Sequence, residues 1–462
     1  MILLKKQNYW KKFKRSINRI SLNIMNLQNQ SYTGYWYIPS KEIKPTKWYG
    51  TVHVKENNQI VLEFVLSRED LNICFPNLND VLNKINNQVS IPFICGYGKN
   101  INKNDDLGFT LLDLVIVGYS SSGLVSLKLE AKSALTYYHI DDPKDLLISS
   151  AMTKFDGLDT WMDKNGFKIE GGKQEKQYST NINYDQPDSI ELLNNEFVKI
   201  YFYFRTISPA FSVKGSHATI TQSLHVNFEF RSPNTLETIM YYNEKIQNLF
   251  TFIFSRPTQR IDSQIKIINY TDSTASDLIY SDNVQNKLND LSNWNFIFSF
   301  SEVEDNFPFI FQNWLRLYND YEPALDQYFD NLYFNYGHII SRFISTLSIL
   351  EIYFSRKFPE SEKLGLKKKI DQLILDLGEI NTQTFQFETS FSEEVILIRK
   401  YYVHGNQVKS KLEDYMLSKE YISKHIRSLE NLFKTILLIE LGLSENEIIK
   451  FIKRKCWCSG FN

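Results

Sequence analysis

The chain has 462 residues, of which 43% are hydrophobic and 15% aromatic, so it can bury two or three substantial cores and does not have a disordered composition. Its formal net charge is −1, and residues 1–20 carry seven basic residues and no acid, so residues 21–462 sum to −8 (−1 minus 7). A body with an acidic balance excludes a general electrostatic coat for nucleic acid, so any contact with RNA or DNA has to be local.

The sequence does not support a metal-binding protein or a membrane protein. Cys74 and Cys95 lie far from Cys456 and Cys458, and no H-x-H or H-E-x-x-H spacing or phosphate-binding glycine loop accompanies them. We therefore expect reduced thiols, no metal and no cofactor. Because no secretory signal and no apolar run of about 18 residues is present, we also expect a soluble, cytoplasmic protein without a transmembrane segment.

Residues 1–30 are predicted to form a basic amphipathic helix. Its apolar residues recur every three or four positions, with basic residues on the other faces. The members of this stripe are Trp10, Phe13, Ile17, Ile20, Ile24 and Leu27. The helix could pack on its own domain or on a partner, or it could lie on anionic lipid or on phosphates.

Residues 31–304 are predicted to form a β-rich domain. Runs of β-branched and aromatic residues, bounded by turn residues, predict two hairpins and four further strands. The hairpins span 50–66 and 109–131, and the strands span 196–207, 223–232, 262–269 and 294–300. A helix with Ser232 as its N-cap is expected to follow the strand at 223–232. The aromatic cluster Tyr35, Trp36, Tyr37 and Trp48 is either a ligand-recognition surface or a plug at the domain edge.

Residues 305–462 are predicted to form an all-α bundle, which makes the chain α+β overall. Apolar stripes at helical period predict helices near 336–358, 366–377, 391–404 and 422–441, followed by a short helix after Ser444. Ser390 with Glu393, and Ser444 with Glu447, have the spacing of a capping box.

The stretch "IRKYYVHGN" places Arg399 and His404 at the end of the helix predicted at 391–404, with Gly405 at the position where a left-handed residue terminates a helix. A histidine in the last turn also suits the helix dipole, so a purely structural role is open. Five residues correspond to about 140° of rotation and about 7.5 Å of rise, so a second copy of the chain would help both side chains to act on one substrate. Imidazole and guanidinium suit metal-free phosphodiester cleavage, the first as acid or base and the second as a phosphate ligand.

The helical part of the sequence resembles the HEPN domain family, whose members include metal-independent RNases. The resemblance rests on "RKYYVHG" at 399–405 and on "RFISTLSILEIYF" at 342–354, in which Glu351 lies beside the stripe. "GYWYIPS" at 34–40, "YGTVHV" at 49–54 and "FDGLDTW" at 155–161 resemble the ApeA N-terminal domain. Lys400 departs from the small polar residue that often follows the arginine in that family.

This resemblance implies an anti-phage defence protein in which a β-rich domain senses infection and a dimeric HEPN domain cleaves RNA, tRNA being one candidate. It assigns His404 as general acid/base and Arg399 as phosphate ligand, and we add four supporting candidates. Glu351 would orient Arg399 or His404, or it would be a surface partner of a nearby lysine. Lys400 would contact phosphate, or it would mark an altered site. Tyr401 would stack on a base or be an ordinary exposed tyrosine, and Asn406 would position substrate. The trigger would be a phage component, and we expect this component to be a protein. The alternative is a catalytically silent HEPN module that recruits a partner.

Overall fold

A computed structural model describes residues 27, 29–39, 46–55, 58–75, 90–100, 102, 105–122, 124–136, 146–174, 177–207, 220–268, 275–281, 296–333, 338–361, 363–405 and 411–454. The helix predicted at 1–30 falls almost wholly outside these residues, as do Asn406 and the pair Cys456 and Cys458. Within the described residues, none of the helices combines the length and apolar character needed to cross a membrane. The chain divides into two compact units, 1–134 and 135–462.

The first unit is an antiparallel β-barrel. Its strands are β1 (Gln30–Tyr37), β2 (Trp48–Val54), β3 (Ile60–Leu66), β4 (Ser90–Asn100), β5 (Asp106–Ser122) and β6 (Leu124–Thr136), with the short helix α1 (Arg68–Cys74) after β3. The spatial order is β6-β3-β2-β1-β4-β5, and an additional pairing of β5 with β6 closes the barrel. Both predicted hairpins are therefore confirmed as paired strands.

Alternation along the strands divides the predicted aromatic cluster between the two faces of the barrel wall. Trp36 is fully buried and Trp48 is 5% exposed, whereas Tyr35 is 59% exposed. The Trp36 indole N–H donates to the Gly50 carbonyl oxygen at 3.1 Å. Gly96 leaves room for the indole ring, since a Cβ atom there would lie 2.2 Å from it. The tryptophans are therefore core residues, and only tyrosines of this cluster face outward.

The second unit contains a six-stranded antiparallel sheet. Its strands are β7 (Ile148–Phe155), β10 (Ile190–Asn194), β11 (Val198–Ile207), β12 (Thr221–Asn234), β13 (Arg260–Ile267) and β14 (Ala275–Tyr280), with a separate hairpin of β8 (Phe167–Gln174) and β9 (Gln177–Tyr184). The order is β10-β11-β12-β7-β13-β14. One face carries buried apolar side chains, namely Ile200, Phe202, Phe204, Leu224, Val226 and Phe228.

Trp161 lies at the centre of the core beneath this sheet. It belongs to the short helix α2 (Leu158–Met162), which begins after Gly157 in a left-handed conformation with φ 77°. The ring is 1% exposed, and its N–H donates to the Phe298 carbonyl oxygen at 2.9 Å. Five phenylalanine rings surround it: Phe202, Phe250, Phe254, Phe300 and Phe307. The motif "FDGLDTW" thus serves the fold.

Two local predictions in this region are wrong. The helix expected from Ser232 is α3 (Leu236–Phe254), and its N-cap is Thr235, whose side chain accepts from the Thr238 N–H. The chain stays extended through Asn234 because β12 continues to that residue. The strand predicted at 294–300 is not formed over its described part, 296–300. Instead, the Ile297 N–H bonds to the Ile253 carbonyl oxygen of α3.

The remainder of the chain is helical, which confirms the α+β class. The helices are α4 (Phe300–Val303), α5 (Phe307–Tyr333), α6 (Ile339–Lys357), α7 (Leu366–Asp376), α8 (Glu379–Gln383), α9 (Phe391–His404), α10 (Lys411–Met416), α11 (Lys419–Glu440) and α12 (Glu445–Ile452). The 27-residue helix α5 bends at Tyr321, which has φ −127° and ψ 22° and precedes Pro323 by two residues.

The helix ends test the two capping predictions. Ser444 and Glu447 form the predicted capping box at the start of α12. At the start of α9 the prediction is wrong, because Ser390 has helical dihedral angles and makes no side-chain cap bond. Glu393 pairs instead with Lys367 at 2.8 Å, and the Ser390 side chain bonds to Glu394.

Candidate active site

Helix α9 presents both residues of the motif near its C-terminus. Its buried side is formed by Phe391, Val395 and Ile398, so the remaining faces are free to carry polar groups. His404 occupies the last helical position. Gly405 ends the helix with φ 68° and ψ 29°, and its N–H donates to the Tyr401 carbonyl oxygen at 3.0 Å. The predicted left-handed glycine is confirmed.

Arg399 faces Glu351 on helix α6. The guanidinium Nη2 of Arg399 lies 4.0 Å from the carboxylate Oε2 of Glu351. The Arg399 side chain is 35% exposed and the Glu351 side chain is 39% exposed. A long ion pair between two such exposed groups contributes little to stability. The guanidinium therefore stays accessible from solvent while it faces the carboxylate.

His404 is exposed and makes no hydrogen bond or ion pair with any described residue. Glu351 therefore lies beside Arg399 and has no contact of this kind with His404. The two motif residues are not in contact with each other in a single copy either, as their five-residue spacing predicts. Each presents its functional group to solvent from its own side of the helix.

The other predicted supporting residues have different surroundings. Lys400 is exposed and forms no ion pair within the described part of the chain. Tyr401 is half-buried, and its ring meets that of Tyr402 edge to face at 4.9 Å. Asn406 lies outside the described residues. Among those that are described, no cluster of three or more His, Cys, Asp or Glu residues is placed to hold a metal ion.

Comparison with family models covers most of the chain. The model of ApeA N-terminal domain 1 matches residues 31–314, and that of the Apea-like HEPN domain matches residues 324–447. The chain belongs to the ApeA family. Among curated proteins and among solved structures, none matches this ApeA-like protein. Membership of the family supports a HEPN nuclease role in defence.

The HEPN match places the whole candidate site in one domain of the ApeA-like chain. Helices α6 to α11 fall within residues 324–447, and they include Glu351, Arg399 and His404. A second ion pair joins two of these helices, since Arg342 on α6 donates to both carboxylate oxygens of Glu430 on α11 at 2.8 and 3.0 Å. Glu430 is largely buried, so this bidentate pair fixes α6, and with it Glu351, against the bundle.

A polar cluster under α9 was not foreseen from the sequence. We name it the His425 clamp: His425 on α11, Glu394 on α9 and Tyr421 on α11. The His425 ring is buried, with Nε2 3.0 Å from the Glu394 carboxylate and Nδ1 2.9 Å from the Tyr421 carbonyl oxygen. The Tyr421 hydroxyl also donates to Glu394 at 2.7 Å. Both ring nitrogens lie within hydrogen-bonding distance of oxygen atoms, so the ring ties α9 to α11.

The clamp keeps Glu394 ionised despite its partial burial. Desolvation alone would raise the pKa of this carboxyl, but hydrogen bonds from Tyr421, Ser390 and His425 outweigh it and hold the pKa below its usual value. The sequence contains only a weak signal for the clamp. Glu394 precedes the apolar Val395, and His425 precedes Ile426 on the predicted stripe, so each polar residue borders a buried face.

Tyr402 corrects one further expectation about α9. Its place on the apolar stripe of the helix would put it in the core, yet Tyr402 is 38% exposed and Val403 is 47% exposed. The last turn extends beyond the bundle, and the Tyr402 hydroxyl reaches the Leu417 carbonyl oxygen at 3.4 Å. Tyr415, two residues before Leu417, is 60% exposed. Exposed apolar side chains thus accompany the motif.

Proposed function

We propose that this protein is an anti-phage defence factor whose HEPN domain cleaves RNA endonucleolytically without a metal ion. The observation that carries the proposal is the joint presentation of Arg399 and His404 at a helix end closed by Gly405, within the region matched by the HEPN model. Both functional groups are accessible, and neither is committed to a strong partner within the described residues.

The proposed reaction transfers the phosphate internally. His404 as neutral imidazole takes the proton of a ribose 2′-hydroxyl, and the 2′-oxygen attacks the adjacent phosphorus. The bond from phosphorus to the 5′-oxygen breaks, and that oxygen takes a proton from a water molecule, while the His404 imidazolium returns its proton to solvent. Arg399 binds the non-bridging oxygens, on which negative charge increases. The products are a 2′,3′-cyclic phosphate and a 5′-hydroxyl.

The supporting residues take roles that their surroundings permit. Glu351 orients the Arg399 guanidinium from the facing helix, and exposed Lys400 contacts a neighbouring phosphate. Tyr401 stacks on a base next to the cut. Asn406, directly after the helix end, positions the substrate.

A homodimer through the HEPN domain completes the cleft in this proposal. One copy offers Arg399 and His404 on different sides of α9, so a second copy supplies the complementary group. Tyr402, Val403 and Tyr415 are apolar and exposed beside the motif, which is the composition expected of a surface that becomes buried on association.

The β-rich part of the chain is proposed to sense infection. In the cytoplasm it would recognise a phage-derived component, most plainly a protein, and so release the nuclease. The RNA that is cut would include tRNA.

Incubation of the purified full-length protein with total tRNA in excess EDTA tests the proposal, alongside Arg399→Ala and His404→Ala. Cleavage by the wild type that leaves 2′,3′-cyclic phosphate ends, and a loss of about 100-fold or more in each variant, is the expected result. Cleavage that needs added metal, or that survives in both variants, would refute the proposed mechanism. Co-expression with phage genes distinguishes a restrained enzyme from a silent module, since only the former becomes toxic through His404.

A further inference from the structure

The outer face of the barrel carries a row of exposed tyrosines. Strand register places Tyr35 on β1 opposite Tyr49 on β2 and opposite Tyr97 on β4. Their side chains are 59%, 59% and 52% exposed, and the rings of Tyr35 and Tyr49 meet edge to face at 5.4 Å. We name these three residues the tyrosine row. Large exposed aromatic groups that adjoin one another on neighbouring strands indicate a contact surface.

The residues beside the row leave its rings accessible. On the next strand, Tyr97 is opposite Gly108, which has no side chain to cover the ring. Thr33 lies two residues before Tyr35 on β1, and Thr51 lies two residues after Tyr49 on β2. Their short side chains are hydrogen-bonded to each other at 3.0 Å. The residues at these positions of β1, β2 and β5 are thus small, beside tyrosines that are more than half exposed.

Two lysines lie close to the row. Lys99 is exposed on β4, two residues beyond Tyr97 on the same face, with Asp106 opposite it on β5. Lys47 is exposed two residues before Tyr49, and its Nζ lies 5.6 Å from the centre of the Tyr37 ring. Aromatic rings accompanied by lysines form the combination that holds single strands, because bases stack on the rings while ammonium groups contact phosphates.

We propose that the tyrosine row binds single-stranded RNA, with bases stacked on Tyr35, Tyr49 and Tyr97 and phosphates beside Lys47 and Lys99. The choice of RNA rests on the proposed function, in which RNA is the substrate of the same chain. Stacking on a base requires a flat ring, whereas docking of an apolar protein surface requires only apolar area. This difference separates the two kinds of ligand by experiment.

Fluorescence anisotropy with a labelled oligouridylate tests the proposal on the full-length His404→Ala chain, which keeps the probe intact. Each of Tyr35→Ala, Tyr49→Ala and Tyr97→Ala is expected to weaken binding about 10-fold, and the phenylalanine variants are expected to bind as before. Lys99→Gln should lower the salt dependence of binding. Tyr119→Ala is the matched control, since Tyr119 is a 43% exposed tyrosine on β5 outside the row.

Unchanged affinity in the alanine variants would overturn the proposal, and so would leucine variants that bind as well as the phenylalanine ones. Thermal melting of every variant verifies the fold. Cleavage of tRNA by the wild type, measured in parallel, keeps the two hypotheses apart. A chain that binds through the row but neither cuts tRNA nor becomes toxic through His404 on co-expression with phage genes refutes the nuclease alone. One that cuts but binds independently of the row refutes the row alone.

Discussion

At the scale of single residues, the candidate site depends on groups that the fold leaves uncommitted. His404 has no described partner, and Arg399 has only a long pair with Glu351. Such side chains add little to stability, so their placement at a precisely terminated helix is better accounted for by what they could bind. The strong ionic contacts of the bundle lie elsewhere, as between Arg342 and Glu430.

Glu351→Gln should lower cleavage modestly, by no more than about fivefold, because the pair it removes is long and more than one-third exposed. Arg399→Ala should cost far more, about 100-fold, since it removes the charge that binds the phosphate. Single-turnover rates on one RNA measure both. Glu360→Gln, an exposed carboxylate after α6, is the control, and an equal loss in Glu351→Gln and Arg399→Ala would contradict the subsidiary role of Glu351.

A second residue-scale prediction concerns Asp277 on β14. Burial raises its pKa to about 6, and neighbouring Asp262 adds to the rise, while a hydrogen bond from Gln264 and the charge of Arg205 oppose it. A carboxyl with a raised folded-state pKa binds a proton between about pH 4 and 6 that the unfolded chain has released. Its stabilising contribution is therefore complete below about pH 4 and is lost as the pH rises through 6.

Asp277→Asn should accordingly stabilise the protein at pH 7.5, by about 1–3 kcal/mol in the free energy of unfolding. The advantage should shrink towards pH 4.5, where the wild-type carboxyl is protonated. Urea unfolding at the two pH values gives the comparison. Asparagine keeps an oxygen that can accept from Gln264, so lower stability of the variant at pH 7.5 would show that ionised Asp277 is favourably paired.

At the scale of elements, the conformation of one glycine determines where α9 ends. Gly405→Ala should destabilise the protein by about 1–2 kcal/mol, the cost of a left-handed alanine, and should displace His404. No atom of the described residues lies within 4 Å of the added Cβ, so the cost there is conformational and not steric. Gly365→Ala is the control: it is equally open but has φ −63°, so it should lose only the smaller cost of alanine at the N-cap of α7.

If Gly405→Ala melts like the control, the left-handed conformation is not required at that position. If both variants lose stability equally, a general cost of replacing loop glycines is responsible. Cleavage measured on the same samples would show whether His404 has moved.

The His425 clamp supplies a further element-scale prediction. Glu394→Gln removes the carboxylate that bonds to the Tyr421 hydroxyl and to the buried His425 ring, so unfolding should become easier by about 2–4 kcal/mol. Chemical denaturation measures this change. Glu393→Gln, one residue earlier and in an exposed pair with Lys367, should change stability by less than about 1 kcal/mol. Similar losses in the two variants would contradict the clamp.

The sequence predicted helices and strands where one face is continuously buried. The stripe through Phe343, Leu347 and Leu350 locates α6, and the alternation through Leu224, Val226 and Phe228 locates β12. Predictions failed where tertiary contacts decide the local conformation. Phe298 is buried but bonds to Trp161 instead of a neighbouring strand, and Ser390 is turned away from the backbone by Glu394.

The candidate site was predictable only in part. Arg399, His404 and Gly405 form a local motif, and their positions in the structure follow from helix geometry. Glu351 was named as a neighbour of Arg399 or His404, and the structure decides for Arg399, 48 positions away. The His425 clamp joins residues 31 positions apart that no local pattern links, so it was not foreseen. The boundaries predicted at residues 30 and 304 stay predictions.

At the scale of the whole molecule, the proposed dimer allows a complementation test. Arg399→Ala and His404→Ala are each expected to be inactive, but a mixture of the two should recover activity if each cleft combines Arg399 of one copy with His404 of the other. Random exchange of subunits makes about half of the dimers heterodimers, and each heterodimer has one intact cleft out of two. About a quarter of wild-type activity is therefore expected. A mixture as inactive as its components would assign each cleft to one copy.

Helix α5 has a consequence for the way this architecture can be recombined. It begins at Phe307, within the match to the N-terminal domain, and ends at Tyr333, within the HEPN match. The two matches are thus joined through one helix that bends at Tyr321 and not through a loose tether. A chimera that exchanged N-terminal domains between relatives at residues 315–323 would cut through this helix, so a working graft must carry all of α5 from one parent.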